Sequence, residues 1–396
     1  MNGEQVRLSY DPSKFVDRHK ELQLVVGKAK DLAVGSRVEK RIVVFHGARG
    51  AGKTWLLLEI ERCLKQELAT VLTLYLDLNG FSASPPDEAV RAIINRIRAA
   101  IKEKGSPGPF QARPGEKLET LTEALVEDVR RLGTLVLLFD HVNESPRDLL
   151  ALLEDRCLSQ LAVEPQALIV LAGRGKEYTW KAMELRLRCE ECDLPNFDLS
   201  CTREQLEKQA PQAEPSAEKI YPLTAGYPWS NYIIGAHPTS RAEALERCAE
   251  FLLSGLPVTP NRAHLEALCV LRSFNDEMIP DLFAAYFDDP DYQKWGYRQC
   301  REARQALTGD TTVVRWNEAS GGYVIDEAIG HVLENWLHEC NRLTWERLHS
   351  AARNLFQEWR EKYPRTASRW QKEVDYHDGK LANGPLWAPP DQEEKK

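Results

Sequence analysis

The chain has 396 residues, 43% of them apolar and 28% charged, with a formal charge of −8. That length suits two to four domains, and the composition is that of ordinary globular protein. A net-acidic chain is no polycation, so affinity for nucleic acid or an acidic membrane would need a local patch. The opening residues MNGEQVRLSYDPSK lack a signal-peptide pattern and there is no long apolar run, so the expectation is a soluble, cytoplasmic protein without a membrane anchor.

The first apolar strand, Ile42 to Phe45, runs into Gly47-Ala48-Arg49-Gly50-Ala51-Gly52-Lys53-Thr54, a match to G-x-x-x-x-G-K-[ST]. Glycines let successive N–H groups curl inward around phosphate oxygens. Lys53 is placed to reach the β- and γ-phosphates, and the Thr54 hydroxyl to ligate Mg²⁺. A helix from about Gly52 to Leu68, carrying Trp55 in its first turn, aims a partly positive N-terminus at the same anion. The cofactor expected is ATP or ADP with Mg²⁺.

Downstream, strands and helices alternate. ATVLTLYLDLN (Ala69–Asn79) reads as a strand containing Val71–Leu78, PDEAVRAIINRIRAAIKEKG as a helix, and GSPGPFQARPG as a loop, with another helix to about Leu132. TLVLLFDHVNES (Thr134–Ser145) and ALIVLAGRG (Ala167–Gly175) are two further buried strands. The alternation predicts an α/β P-loop NTPase core, a parallel sheet with helices on both faces, and a site at the carboxyl ends of its strands. A strand lying between the P-loop and the acidic strand is the order of AAA+ and related ATPases, where an extra strand separates the two. Asp140 closes its strand as the Walker B acid and a magnesium ligand. His141 follows where many such enzymes carry Glu, so Glu144 is the nearest carboxylate for the attacking water, or else the start of the next helix. Slow hydrolysis is the expectation.

Nine cysteines are scattered along the chain, as in a reduced cytosolic protein. Cys189, Cys192 and Cys201 in CEECDLPNFDLSC read as ordinary thiols, with a zinc site as the alternative.

Several segments together resemble the STAND signal-transduction NTPases. KFVDRHKELQLVVGKA (Lys14–Ala29) is similar to that family's box upstream of the P-loop, which implies base and ribose contacts for Phe15, Val16 and Arg18. LAGR, ending in Arg174, resembles the strand-end arginine that senses the γ-phosphate; capping a neighbouring helix is the bland alternative. LTAGYPWSNYIIG (Leu223–Gly235) resembles the Gly-x-Pro segment, which implies that Pro228 lies against the base; an ordinary turn between helices is the alternative. Helices at Ala263–Arg272, Ile279–Phe287 and Tyr297–Leu307, a hairpin TTVVRW-NEASGG-YVID and a helix Glu327–Cys340 read as a winged helix, which the family carries after a helical lid. Some members end the wing in Met-His-Asp; here the triplet is Val324-Ile325-Asp326, with Asp326 left as a latch to the core. RLHSAARNLFQEW and RWQKEVDYHDGKL resemble the helices that join this region to sensor repeats, but no repeat follows, and APPDQEEKK reads as a disordered acidic end.

The domain plan is therefore a core at 1–197, a helical lid at 198–258, a winged helix at 259–340 and a helical extension at 341–396. The resemblance implies an ATP/ADP-dependent conformational switch that assembles with itself or with a protein partner. An initiator-like ATPase acting on DNA is the alternative. From Pro260 to Cys340 there are seven Lys/Arg against fourteen Asp/Glu, too acidic a surface for tracking phosphates. Only Arg298, Arg301 and Arg304, on one flank of a helix, favour DNA. The trigger and the downstream partner are not legible.

Overall fold

A computed structural model describes residues 9–105, 116–142, 145–174, 179–213, 215–236, 240–254, 262–309 and 313–386. Glu144, the loop at 106–115 and the acidic end at 387–396 lie outside them. The chain forms two compact units, 1–195 and 196–396. No helix among the described residues is long and apolar enough to cross a membrane.

The first unit is built in the order α1 (His19–Ala33), β1 (Ile42–His46), α2 (Lys53–Glu67), β2 (Leu72–Asp77), α3 (Pro86–Gly105), α4 (Leu118–Leu132) and β3 (Leu135–Asp140). Then come α5 (Arg147–Leu153), a π-helical turn at Glu154–Leu158, α6 (Ser159–Val163), β4 (Ala167–Gly173), α7 (Met183–Arg188) and β5 (Cys189–Asp193). The five strands form one parallel sheet in the order β2-β3-β4-β1-β5. Burial follows position in that order. Every residue of β1, β3 and β4 is buried, whereas edge strands β2 and β5 are mostly half-buried or exposed.

Alternation along each strand divides the core into two layers. Val43, Phe45, Val136, Leu138, Leu168 and Val170 pack with Val25 and Ala29 of α1 and Leu56, Ile60 and Leu64 of α2. Ile42, Val44, Leu135, Leu137, Phe139, Ile169 and Leu171 pack on the other face with Ile93, Ile97, Leu121, Leu125 and Leu150 from α3, α4 and α5. One strand does separate β1 from β3 in the sheet: it is β4, while β2, which lies between them in sequence, forms the far edge. The CEECD stretch, read from the sequence only for its thiols, forms β5, paired with β1 from Ile42↔Cys189 to His46↔Asp193.

The second unit is mainly helical. It contains α8 (Leu199–Gln209), α9 (Ala217–Thr224), α10 (Pro228–Ala236), α11 (Arg241–Leu253), α12 (Arg262–Leu268), α13 (Ile279–Phe287) and α14 (Tyr297–Leu307). An antiparallel hairpin, β6 (Val314–Asn317) and β7 (Gly322–Ile325), leads to α15 (Glu327–Cys340), α16 (Arg342–Lys362) and α17 (Ala367–Asn383). The helix expected to reach Arg272 ends at Leu268, because Phe274 instead exchanges two backbone hydrogen bonds, 2.7 and 2.8 Å, with Tyr323 of the hairpin. A buried polar knot ties α8, α9 and α10: Asn231 donates to Thr202 and Gln205 (3.3 and 3.0 Å) and accepts from the Thr224 hydroxyl of α9 (2.5 Å), and Gln205 donates to the Pro228 carbonyl (2.7 Å). Each member is satisfied by another, which fixes one mutual arrangement of the three helices. Asp326 caps α15 by accepting from the N–H groups of Ala328 and Ile329 (3.1 and 3.3 Å).

Candidate functional site

The glycine-rich loop links the carboxyl end of β1 to the start of α2. Its first residue is anchored to the neighbouring strand, with the Gly47 N–H donating to the Arg174 carbonyl at 2.9 Å. Gly50 and Gly52 have φ of 94° and 92°, a backbone shape that turns the loop over the helix end. Gly52 is the N-cap of α2 and supplies no side chain to cap it, and the first turn begins at Lys53, Thr54 and Trp55. Lys53 Nζ donates to the carbonyls of Gly47 and Ala48 (2.7 and 2.9 Å), which places its ammonium inside the loop. Ala48 and Arg49 complete the turn, and Ala51 N–H closes it on the Ala48 carbonyl (3.2 Å). The assembled donors are a helix N-terminus, an ammonium and the Thr54 hydroxyl, a set whose chemistry fits a polyphosphate.

Beside the loop, β2 and β3 end in two paired acids, Asp77 and Asp140. Asp140 is buried, and both of its oxygens are engaged: Oδ2 accepts from the Tyr75 hydroxyl and Oδ1 from the His141 N–H, each at 2.9 Å. His141 has φ of 58°, the left-handed region that a non-glycine residue enters only at a cost. Its Nδ1 lies 2.9 Å from Asp77 Oδ1 and 3.6 Å from Asp140 Oδ2. Burial, followed by the charge of Asp140 and the bond to it, pushes the Tyr75 phenol far above its usual range. Among the described residues no three His, Cys, Asp or Glu side chains are arranged to hold a metal on their own. This suits Mg²⁺, which takes one or two protein oxygens and completes its shell with phosphates and water; Asp140 and Thr54 are the groups that can supply them.

A strand-loop-helix P-loop on the interior strand β1 of a 2-3-4-1-5 parallel sheet, with an acid at the end of β3, decides the architecture. The fold is that of a P-loop NTPase. No family model matches the sequence, and no curated protein matches it. Among solved structures, the Aeropyrum pernix ORC2 protein in ADPNP–ADP complexes is similar at 14% identity and a TM-score of 0.49, over 84% of this chain and 97% of that one. The Aeropyrum pernix ORC1 protein in complex with DNA is similar at 17% identity and a TM-score of 0.39, over 83% and 94%. A signal transduction ATPase with numerous domains (STAND) from Pyrococcus horikoshii, with a tetratricopeptide repeat sensor, is similar at 14% identity and a TM-score of 0.34, over 93% of this chain and 55% of that one.

Within this P-loop NTPase the upstream box reaches the loop. Arg18 is buried and donates through Nη2 to the Ala51 carbonyl at 3.1 Å. Asp17 and Arg18 both have positive φ (56° and 63°), a strained pair held at the entry to α1. Val16 is buried, and Phe15 packs against the α1–α2 layer. Trp55 meets Tyr10 edge-on, ring centroids 5.7 Å apart, and Tyr10 hydrogen-bonds Glu59 one turn further along α2. Arg174 follows β4 directly and is buried. The loop, Arg18, Asp140 and Arg174 thus share one side of the sheet's carboxyl edge, whereas Pro228 opens α10 in the second unit.

Tyr75, Asp77 and Tyr10 were missed. The first two read as ordinary strand residues; the signal available was that Asp77, like Asp140, ends its strand. The zinc alternative is excluded for Cys189 and Cys192. Three positions apart on β5, they lie on opposite faces, Cys189 with the α3–α4 layer and Cys192 with the α1–α2 layer. Cys201 sits in the first turn of α8.

Proposed function

We propose that the chain is an ATP/ADP-binding conformational switch of the STAND signalling type, whose nucleotide state governs assembly with itself or a partner. The observation that carries the reading is the combination of a P-loop built for binding with an imidazole, His141, turned toward Asp77 at the position following Asp140. That pairing favours retention of nucleotide over rapid turnover; Glu144 stays the proposed carboxylate for slow hydrolysis.

In this reading a bound Mg²⁺–nucleotide supplies the negative charge that the loop's donors meet. Lys53 would exchange the Gly47 and Ala48 carbonyls for phosphate oxygens, Thr54 and Asp140 would hold the magnesium, and Arg174 would read the γ-phosphate. Phe15, Val16 and Arg18 would face the base and ribose. A switch from 1:99 to 99:1 needs a differential of about 5.5 kcal/mol between nucleotide states. The three-helix-and-wing order of α12–α14, the Phe274 bridge and the hairpin supports a winged helix in the second unit.

The DNA-initiator reading comes second. Arg298 pairs with Glu302 (2.9 Å) and Arg304 with Asp276 (2.6 Å), so two of the three arginines that favoured it serve acids of their own unit.

The test is thermal unfolding with Mg²⁺–ATP and Mg²⁺–ADP, alongside the oligomeric mass in each. Ligand at a hundredfold excess over Kd stabilises by about 2.7 kcal/mol, and Lys53→Ala is expected to abolish that gain. An ATP-induced shift that survives in Lys53→Ala overturns the site, and equal mass with both nucleotides overturns the switch. Salt-sensitive duplex DNA binding lost on replacing Arg298, Arg301 and Arg304 would select the second reading.

A further inference from the structure

The C-terminal helix α17 docks through a polar face. Its buried residues are Val374, His377 and Lys380, three apart and therefore on one side of the helix. By contrast, the partner helix α16 buries Trp345, Leu348, Leu355 and Phe356. His377 Nδ1 lies 2.8 Å from His349 Nδ1 of α16, and both rings are fully buried. At that distance one nitrogen must donate and the other accept, so the pair holds together with both imidazoles neutral. A proton added to the accepting Nδ1 would set two N–H groups against each other.

The surrounding charges offer little help to an added proton. Glu334 of α15 is buried and already faces Lys380 at 3.0 Å, with His349 Nε2 3.4 Å away. From the segment after α12, Arg272 pairs with Glu373 of α17 at 2.7 Å and lies 5.0 Å from the Tyr376 ring centroid, with Cys269 also facing Tyr376. On the outer side Arg353 of α16 pairs with Asp378 at 3.4 Å, and His338 of α15 stacks edge-on against Trp345.

We propose that α17 is a proton-released latch: protonation of the His349–His377 pair below neutral pH undocks this helix from α15 and α16 while the rest of the second unit stays folded. Burial holds both imidazoles below their ordinary range. For His377 the charges of His349, Arg272 and Lys380 push the same way, and for His349 the attraction of Glu334 does not offset burial. A histidine depressed in the docked state takes its proton first in the undocked state. Docking is therefore at full strength above about pH 6.5 and weakens as pH falls from there toward the docked-state values. Each ring weakens it by up to about tenfold per pH unit, and two rings by up to about a hundredfold. Burial raises Glu334 but His349 and Lys380 hold it below the usual carboxylate value, so its contribution is lost only under more acid conditions.

Release would separate Trp370 from Phe356 and Trp359, whose ring centroids are 5.8 and 4.9 Å away, and bare an aromatic groove on α16. Hydrogen exchange of the full chain, corrected for intrinsic rates and compared between about pH 6.5 and 5.5, tests this. The α17 opening constant should rise by up to about thirtyfold while α15 keeps its protection, and the rise should fall to about fivefold in His377→Leu. An α17 opening constant that is flat over this range, or α15 opening with the same slope, overturns the latch. Should His377→Leu not fold, the imidazole titrations of the parent chain decide. Rings that protonate near their ordinary value while α17 amides remain protected refute it, and rings that protonate only as α17 opens support it.

Discussion

Replacing Gly226 by alanine is expected to cost the second unit several kcal/mol, because two separate constraints meet at this residue. Gly226 has φ of 74°, where an L side chain is strained by about 1–2 kcal/mol. It also lies against backbone: an added Cβ would stand 1.8 Å from the Phe197 carbonyl oxygen and 2.8 Å from its carbon. No rotamer change relieves that clash, so Phe197 must shift, and overpacking of this kind costs about 1–3 kcal/mol. The shift also threatens the hydrogen bond from the Phe197 N–H to the Gly226 carbonyl (2.9 Å), worth about 1 kcal/mol. The total is about 3–6 kcal/mol, a fall in melting temperature of roughly 10–15 °C for a unit of this size. Gly321→Ala is the control: its φ is 62°, but nothing lies within 4 Å of the added carbon, so only the conformational term of about 1–2 kcal/mol applies. Urea denaturation of both variants makes the comparison. Equal losses would refute the close-approach argument and leave φ alone as the reason for glycine in the Gly-Tyr-Pro segment.

Tyr75→Phe removes the hydroxyl that donates to Asp140 Oδ2 at 2.9 Å and should destabilise the first unit by about 1–3 kcal/mol, read by chemical denaturation; unchanged stability would mean that the buried carboxylate is satisfied without it. Asp326→Ala should cost about 1 kcal/mol through loss of the α15 cap, while Asp326→Asn retains most of it. Equal losses in the two variants would point to the charge, not the cap.

Legibility of the fold tracked how deeply each element is buried. IVVFH, LVLLFD and ALIVLAG stood out as strands because β1, β3 and β4 are covered on both faces, and such strands must be apolar throughout. CEECD forms the same parallel ladder with β1, yet it carries three acids in five residues, since an edge strand has one neighbour and can leave side chains in water. An apolar run thus reports burial, and it is silent about pairing. The placement of β4 between β1 and β3 has no local signature at all, because it depends on which crossover returns to which side of the sheet. The P-loop was legible for a different reason: its backbone geometry demands particular residue types at fixed spacing, whatever surrounds it.

Polar burial was the least legible feature of all. Asp140 could be singled out because it ends an apolar strand, but its partners Tyr75 and Asp77 come from another strand, brought opposite only by the β2–β3 register. The same holds for the face of α17, where His377 and Lys380 are polar residue types on the buried side of the helix. Such groups are buried only because a specific partner from a distant part of the chain meets them: Glu334 lies 46 residues before Lys380, and His349 lies 28 before His377. An apolar side chain accepts any dry neighbour, whereas a buried imidazole or ammonium needs one particular atom at hydrogen-bond distance. That requirement hides these residues from one-dimensional pattern reading, and it also makes the strand-end cluster and the α17 interface the places where a single proton or hydroxyl has the largest structural effect.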